Sequence, residues 1–172
     1  MKTLHLKNCE KNYFLEAWEL YENSFPKEEK RTLAEQETIL KDERYNPTIF
    51  IKDDEVVAIL FFWKYPNHTF IEHFAISQKL RGQSYGSKIL EDLLENHKNV
   101  VLEIEPIFDE ITQKRFDFYK RFDFVINDFK HFQIPFRKDA KELELLILSH
   151  KNRLEKTEYK KLYFEMKNSL TV

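Results

Sequence analysis

One short segment holds both glycines of this 172-residue chain, and its backbone could bind an anion. It reads Leu80-Arg81-Gly82-Gln83-Ser84-Tyr85-Gly86-Ser87-Lys88, after an apolar run at 70–76 and before apolar residues at helical spacing. A glycine-bearing turn that begins a helix directs free N–H groups outward at the positive end of the helix dipole, where phosphate binds. The segment therefore predicts a site for a phosphate-bearing ligand. The alternative is that Gly82 and Gly86 only permit a tight strand-to-helix turn.

Two familiar nucleotide-binding motifs do not fit this segment. A P-loop requires four residues between its first glycine and the Gly-Lys-Ser/Thr group, whereas Gly82 and Gly86 are separated by three and Ser87 follows. A dinucleotide-binding fingerprint requires a third glycine, and neither Lys88 nor Ile89 can replace it. The phosphate-bearing ligand is therefore of another class.

The segments around the glycine loop alternate between strand-like and helix-like patterns. The patterns predict strands at 3–6, 47–51, 56–63, 69–76, 100–105, 129–135 and 143–148. They predict helices at 14–25 and 32–42, a helix after the glycine loop with Ile89, Leu90, Leu93 and Leu94 on one face, a helix that ends in the segment 118–124, and a closing helix at 153–168. The run Val56–Trp63 is apolar on both faces, which indicates a central strand covered on both sides. We expect one α/β domain over residues 1–172, with a mixed, mostly antiparallel central sheet and flanking helices.

Two of these segments allow more specific predictions, one of a helix cap and one of a loop. Thr32 is a predicted N-cap with Glu35 three residues later, and Leu33, Ile39 and Leu40 are expected to face inward. Residues 137–141 are expected to form a polar loop between the last two strands.

Composition excludes several functional classes. The formal net charge is −2 and the charged residues are well mixed in sign, so no basic surface for nucleic acid is expected. A single cysteine, Cys9, excludes an intramolecular disulfide, and its spacing from the six histidines predicts no metal site. The chain shows neither a leader pattern nor a span of about twenty apolar residues. We therefore expect a soluble cytoplasmic protein with no membrane partner.

Taken together, the order of motifs between residues 69 and 124 resembles the GCN5-related N-acetyltransferase (GNAT) family. A strand is followed by Arg81-x-x-Ser84-x-Gly86, a helix, the strand Val100–Glu105, and a helix that ends in Phe118-Tyr119-Lys120-Arg121-Phe122-Asp123-Phe124. The family signature is Gln/Arg-x-x-Gly-x-Gly/Ala, followed by Phe-Tyr-x-x-x-Gly-Phe. Ser84 and Asp123 stand where glycines are usual. Ser84 keeps the backbone N–H that binds phosphate, and aspartate adopts left-handed backbone more readily than most residues.

The resemblance implies the GNAT acyl-CoA N-acyltransferase fold, acetyl-CoA as cosubstrate, and acetyl transfer to a primary amine of a small molecule or peptide. It implies that the amides of residues 81–87 hold the pyrophosphate of acetyl-CoA. The main chain of Phe74, Ala75 and Ile76 would bind the pantetheine arm, with the N–H of residue 74 or 75 polarising the thioester carbonyl. Tyr119 would protonate the departing thiolate. A monomer and a homodimer both remain open.

The resemblance also implies which residues line the acceptor site. The helical region after Phe25 would overhang the acceptor, so Phe25, Glu28 and Arg31 would line that site. The alternative for Glu28 and Arg31 is a solvated charged loop. Glu103 and Glu105 alternate with apolar residues and point to one surface, which would favour a cationic amine if that surface is the acceptor cleft. Their alternative is solvent exposure near a strand end.

The general base is predicted from strand alternation. In the strand ending at Ile76, alternation puts Glu72 on the face of Phe74 and His73 on the opposite face. Glu72 is therefore the predicted base, and His73 a structural histidine. The alternative is that Glu72 forms an ion pair with a cation on a neighbouring element.

Two functions of different classes follow from the sequence. The first is a GNAT-type N-acetyltransferase. The second is a CoA-binding protein of the same fold that lacks turnover and acts through a partner or metabolite.

Overall fold

Strands and helices alternate along the chain much as the sequence patterns predict. A computed structural model describes residues 1–137 and 141–171, and these residues form eight strands. The strands are β1 (Lys2–His5), β2 (Tyr45–Lys52), β3 (Glu55–Lys64), β4 (Thr69–Ile76), β5 (Val100–Ile104), β6 (Phe124–Ile126), β7 (His131–Gln133) and β8 (Leu143–His150). The α-helices are α1 (Lys11–Ser24), α2 (Leu33–Ile39), α3 (Tyr85–Asn96), α4 (Glu110–Lys120) and α5 (Lys156–Lys167).

The sheet is mixed, with one parallel contact. Its order is β1-β2-β3-β4-β5-β8-β6, and β7 also pairs with β8. Every pair is antiparallel except β4 and β5. The predicted fold class, a mostly antiparallel α/β sheet with flanking helices, is therefore confirmed. No helix among the described residues is both long and apolar enough to cross a membrane.

Strand β3 separates two apolar cores, as its doubly apolar pattern predicts. Ile59, Phe61 and Trp63 face the core that α1 and α5 cover. Leu60 and Phe62 face the other core, which α3 and α4 cover. The sheet is thus buried on both faces around β3 and β4, which holds β4 rigidly in place.

A bulge interrupts β4 at Glu72. Phe61 pairs with His73 and Phe62 pairs with Ile71, so Glu72 is left without an opposite residue on β3. An extra residue on one strand breaks the alternation of side chains at that point. The expectation that Glu72 shares a face with Phe74 is therefore wrong. Its carboxylate contacts Trp63 and His73 on the α1 side of the sheet.

Strands β4 and β5 separate after a short contact. Their pairing covers only Thr69–Ile71 against Val100–Leu102. Beyond that point β4 stays paired with β3, and β5 stays paired with β8. The edge of β4 that faces β5 is therefore free from Glu72 to Ile76, and its backbone groups can bind a ligand in the gap.

Several local predictions have clear outcomes. The Thr32 and Glu35 side chains form a reciprocal capping box at the start of α2, as predicted. Ile39 is buried, as predicted. Leu33 is exposed, because Gln36 and Ile39 form the buried face of this seven-residue helix. The sequence patterns do not predict the short strand β6, since three residues are too few to show an alternation of apolar and polar side chains. Part of the predicted loop at 137–141 lies outside the described residues.

Candidate active site

A cleft of about 750 Å³ occupies the gap between β4 and β5. Its floor is formed by the separated ends of the two strands, and its walls come from the end of α1, the glycine loop, α4, β7 and β8. The cleft brings together the glycine loop and the acidic residues of β5, which are separate motifs in the sequence. These two regions form opposite ends of one elongated site.

The glycine-loop end carries free backbone N–H groups. The first helical hydrogen bond of α3 runs from the Lys88 N–H to the Ser84 carbonyl, at 3.1 Å, so the N–H groups of residues 85–87 have no partner within the helix. The residues of this loop that line the cleft are Arg81, Gly82, Ser84, Tyr85, Gly86 and Ser87. Gln83 does not line it, and its side-chain amide donates to the Lys79 carbonyl.

Two residues of this loop adopt left-handed backbone. Gly82 has φ +76°, and Ser84, the N-cap of α3, has φ +61°. Ser84, which stands where the family signature has glycine, thus has the left-handed backbone that glycine adopts readily. Asp123, the second departure, has φ +60°. Left-handed backbone carries a modest conformational cost at both of these non-glycine residues.

Gly86 has little room for a side chain larger than a methyl group. A Cβ atom at this position would lie 3.5 Å from Ile76 Cγ1 and 3.7 Å from the Phe118 ring. These are ordinary contact distances, so alanine fits. A branched side chain would have to displace Ile76 or Phe118, both of which line the cleft.

The middle of the cleft contains the free edge of β4 and Tyr119. Phe74, Ala75 and Ile76 line it, as the resemblance implies. The Tyr119 ring packs edge-on against Phe118, with ring centroids 5.1 Å apart. Burial raises the pKa of Tyr119 to about 12, with nearby Arg115 opposing the shift. The phenol therefore keeps its proton at neutral pH, as a proton donor must.

The other end of the cleft is acidic. Glu103 and Glu105 line it, together with Phe25 and Glu29. Glu105 pairs with Arg115, and the Glu103 carboxylate lies 2.5 Å from His131 Nε2. These acids are thus partly neutralised, but three carboxylates share one region of the cleft.

The overhanging turn contributes Glu29, whereas Glu28 was predicted. Glu28 is exposed and does not line the cleft, because the 3₁₀ turn Lys27–Glu29 directs consecutive side chains to different sides. Burial raises the pKa of Glu29 to about 7, and the charge of Glu105 adds to the shift. No sequence pattern distinguishes the two neighbouring glutamates.

Glu72, the predicted general base, is held in an ion pair. Arg31 Nη1 and Nη2 donate to its two carboxylate oxygens at 2.8 and 2.7 Å, and both side chains are fully buried. Trp63 Nε1 donates a further hydrogen bond at 3.0 Å. Although burial alone would raise the pKa of Glu72, the Arg31 charge lowers it far below its ordinary value. A carboxylate held so firmly in its charged form is a poor proton acceptor, so the structure favours the alternative, a structural ion pair.

Arg31 neither lines the acceptor site nor belongs to a solvated loop, the two roles considered for it from the sequence. It is 1% exposed, so it is not part of a solvated loop, and it does not line the cleft. Its guanidinium carbon lies 4.5 Å from the centre of the Phe136 ring, and Nη2 also donates to the Leu170 carbonyl. His73 is a buried histidine packed among aromatic rings, as predicted.

Comparison with known proteins places the chain among acetyltransferases. The model of the Acetyltransferase (GNAT) family matches residues 12–124. YjbC, a candidate acetyltransferase of Bacillus subtilis (strain 168), is 32% identical over 140 residues, which cover 76% of this chain and 69% of YjbC.

Solved structures show the same fold. A candidate GNAT-family acetyltransferase from Bacteroides thetaiotaomicron superposes with a TM-score of 0.86 at 25% identity, covering 96% of this chain and 95% of that one. A GNAT acetyltransferase from Elizabethkingia anophelis, solved with acetyl-CoA bound, superposes with a TM-score of 0.51 at 12% identity over 70% of this chain and 84% of its own.

The Arg31–Glu72 pair generates a stability prediction. Arg31→Met should lower the free energy of unfolding by about 3–5 kcal/mol, because it leaves a buried carboxylate without its counter-charge. Arg31→Met combined with Glu72→Gln should recover part of that loss. Lys79→Met, which breaks the solvent-exposed pair with Glu55, is the control and should cost less than about 1 kcal/mol. Urea unfolding followed by circular dichroism measures all four proteins, and equal losses for the first and last variants would contradict the assignment.

The same pair predicts a pH dependence. Because the folded-state pKa of Glu72 is lowered, its contribution to stability is present above the unfolded value of about 4.3 and declines as the pH falls below it. Unfolding measured at a series of acidic pH values should show a steeper loss of stability for the wild type than for Glu72→Gln.

Proposed function

This chain belongs to the GNAT family of acetyltransferases, and we propose that it transfers an acetyl group from acetyl-CoA to a cationic primary amine. Members of this family use acetyl-CoA as the acetyl donor. The finer part of the proposal, the cationic acceptor, rests on one observation. At the end of the cleft away from the glycine loop, Glu29, Glu103 and Glu105 lie close enough to act on one another's charge, and Arg115 is the cation that opposes them at Glu29.

Electrostatics supports this choice of acceptor. An ammonium group gains favourable interactions from the excess of carboxylates, whereas an anionic acceptor meets like charge in a partly buried site. Phe25 and Leu145 line the same end and can pack against the carbon atoms of the acceptor. The acceptor is therefore expected to combine a positive charge with an aliphatic or aromatic part.

The residues of the cleft have distinct roles in the proposed reaction. The free N–H groups of residues 85–87 and the dipole of α3 bind the pyrophosphate. The free edge of β4 at Phe74–Ile76 holds the pantetheine arm and donates an N–H to the thioester oxygen as negative charge develops there. The Tyr119 hydroxyl donates its proton to the departing sulfur.

A panel of amines tests the proposed acceptor. We expect thiol release from acetyl-CoA with polyamines, aminoglycosides or peptides that have basic N-terminal regions, and much less with acidic peptides. Glu105→Gln should raise KM for the active amine because it removes negative charge from the acceptor end. Binding of CoA by calorimetry without thiol release toward any amine would favour a silent CoA-binding protein instead.

Gly86 tests the pyrophosphate site. Gly86→Val should weaken acetyl-CoA binding at least tenfold, since a branched side chain must displace Ile76 or Phe118. Gly86→Ala is the control and should bind nearly as tightly as the wild type. Calorimetric titration of both folded variants measures the difference, and unchanged affinity in Gly86→Val would contradict the site.

Tyr119 tests the proton donor. Tyr119→Phe keeps the ring and removes only the hydroxyl, so acetyl-CoA affinity should stay within about twofold while kcat falls by about 10²- to 10⁴-fold. Steady-state kinetics and calorimetry separate the two effects. A wild-type kcat in Tyr119→Phe would leave Tyr119 as a packing residue.

A further inference from the structure

We propose that Glu29 is the general base of this acetyl transfer, and that the buried cluster of Arg31, Glu72 and His73 positions the turn that carries it. The inference rests on the proposed function, because a base has a role here only if an amine is acetylated. It assigns the base to a residue that neither the sequence motifs nor strand alternation indicated.

Glu29 has the position that a base requires. It lies at the end of the 3₁₀ turn Lys27–Glu29 and lines the acceptor end of the cleft. Within the described residues, its carboxylate accepts no hydrogen bond and forms no ion pair. It is therefore available to accept a proton from a bound ammonium group.

The other acids of the site are already engaged. The Glu103 carboxylate contacts His131, whose second ring nitrogen lies 2.9 Å from the Tyr159 hydroxyl. Glu105 pairs with Arg115. If Glu103 or Glu105 accepted a proton from the ammonium group, its existing pair would be disturbed. Protonation of Glu29 breaks no contact.

The surroundings of Glu29 suit proton transfer near neutral pH. Glu103 and Glu105 face it from β5, Arg115 faces it from α4, and Glu28 is its neighbour on the turn. Burial and the nearby carboxylates both favour the neutral acid and outweigh the opposing effect of Arg115, which raises the pKa of Glu29 to about 7. A base with a pKa near the working pH combines a useful deprotonated fraction with sufficient basicity.

A chain of buried contacts fixes the turn. The carbonyl oxygen of Glu29 lies 2.7 Å from His73 Nε2, which donates to it. The second nitrogen of His73 lies 3.2 Å from a carboxylate oxygen of Glu72, which Arg31 holds in turn. The Phe25 ring packs edge-on against His73 with centroids 4.6 Å apart. The turn is therefore connected at both ends to the rigid bulge of β4.

The proton balance of the step is simple. Glu29 accepts one proton from the ammonium group, and the freed nitrogen lone pair forms the C–N bond with the thioester carbon. As the C–S bond breaks, the electron pair leaves with sulfur, which takes a proton from Tyr119. The nitrogen loses its second proton and Tyr119 is reprotonated, so one proton is released to solvent for each acetyl group transferred.

The test compares two adjacent glutamates. Glu29→Gln should lower kcat/KM by about 10²- to 10⁴-fold at pH 7 and leave acetyl-CoA affinity unchanged. Glu28→Gln is the matched control and should keep nearly the wild-type kcat/KM at pH 7, since Glu28 lies outside the cleft. Loss of its charge should move the acid limb only slightly, to lower pH. In the wild type, kcat/KM should fall as the pH drops through about 7, where Glu29 becomes protonated, and Glu29→Gln should lack this limb.

The outcomes are distinguishable. If the wild type releases thiol with an amine and Glu29→Gln keeps the same rate and pH profile, Glu29 is not the base while the proposed function stands. If the acid limb disappears in Glu103→Gln but persists in Glu29→Gln, the base is Glu103. If the wild type turns over no amine, the proposed function fails, and the assignment of Glu29 fails with it.

The positioning role has its own test at His73. His73→Leu removes the donor to the Glu29 carbonyl and should lower kcat and displace the acid limb, with acetyl-CoA affinity retained. His73→Gln keeps a donor in nearly the same place as Nε2 and should restore much of the activity. A pH profile in His73→Leu identical to that of the wild type, in a folded protein, would overturn the positioning role.

Discussion

Arg31 joins three distant parts of the chain through one guanidinium group. It lies on the loop before α2, binds Glu72 on β4, and donates to the carbonyl of Leu170 beyond α5. Burial of two charges costs several kcal/mol for each ion and is recovered only with good geometry and further hydrogen bonds. Here Trp63 and His73 supply those additional contacts to the carboxylate. The overhanging turn, the central strand and the end of the chain are thereby held in a fixed arrangement.

The bulge at Glu72 connects this pair to the overhanging turn. Phe70 faces the core under α1 and α5 and Ile71 faces the other core, so alternation along the first half of β4 puts Glu72 on the side of Arg31. In an unbroken strand His73 would face the opposite core, but the extra residue puts it on the same side as Glu72, where it reaches the turn that carries Glu29. The bulge lies next to the point where β4 separates from β5, after Ile71. The bulge of β4 therefore lies beside both the contact that holds the turn Lys27–Glu29 and the gap between β4 and β5 that forms the cleft.

Charge is distributed unevenly along the cleft. The glycine-loop end presents free N–H groups, the positive end of the α3 dipole and Arg81, which suit the pyrophosphate of acetyl-CoA. The opposite end presents Glu29, Glu103 and Glu105. A negatively charged cosubstrate and a cationic amine are each favoured at one end, so the two reactants are oriented toward the middle, where the free edge of β4 and Tyr119 lie.

The sequence alone determined the features that local pattern encodes. These features are the apolar run of β3, the strand, loop and helix order around Gly82 and Gly86, and the place of Tyr119 in the last turn of α4. All of them follow from neighbouring residues, so they could be predicted. The tertiary structure decided which carboxylate is free. Arg31 and Glu72 are 41 residues apart, and Glu103 and His131 are 28 apart, so no local pattern reveals that these acids are paired. Alternation also assumes an unbroken strand, and a single extra residue in β4 was enough to put Glu72 and His73 on one face and Phe74 on the other. The shape of one 3₁₀ turn brought Glu29 rather than Glu28 into the cleft.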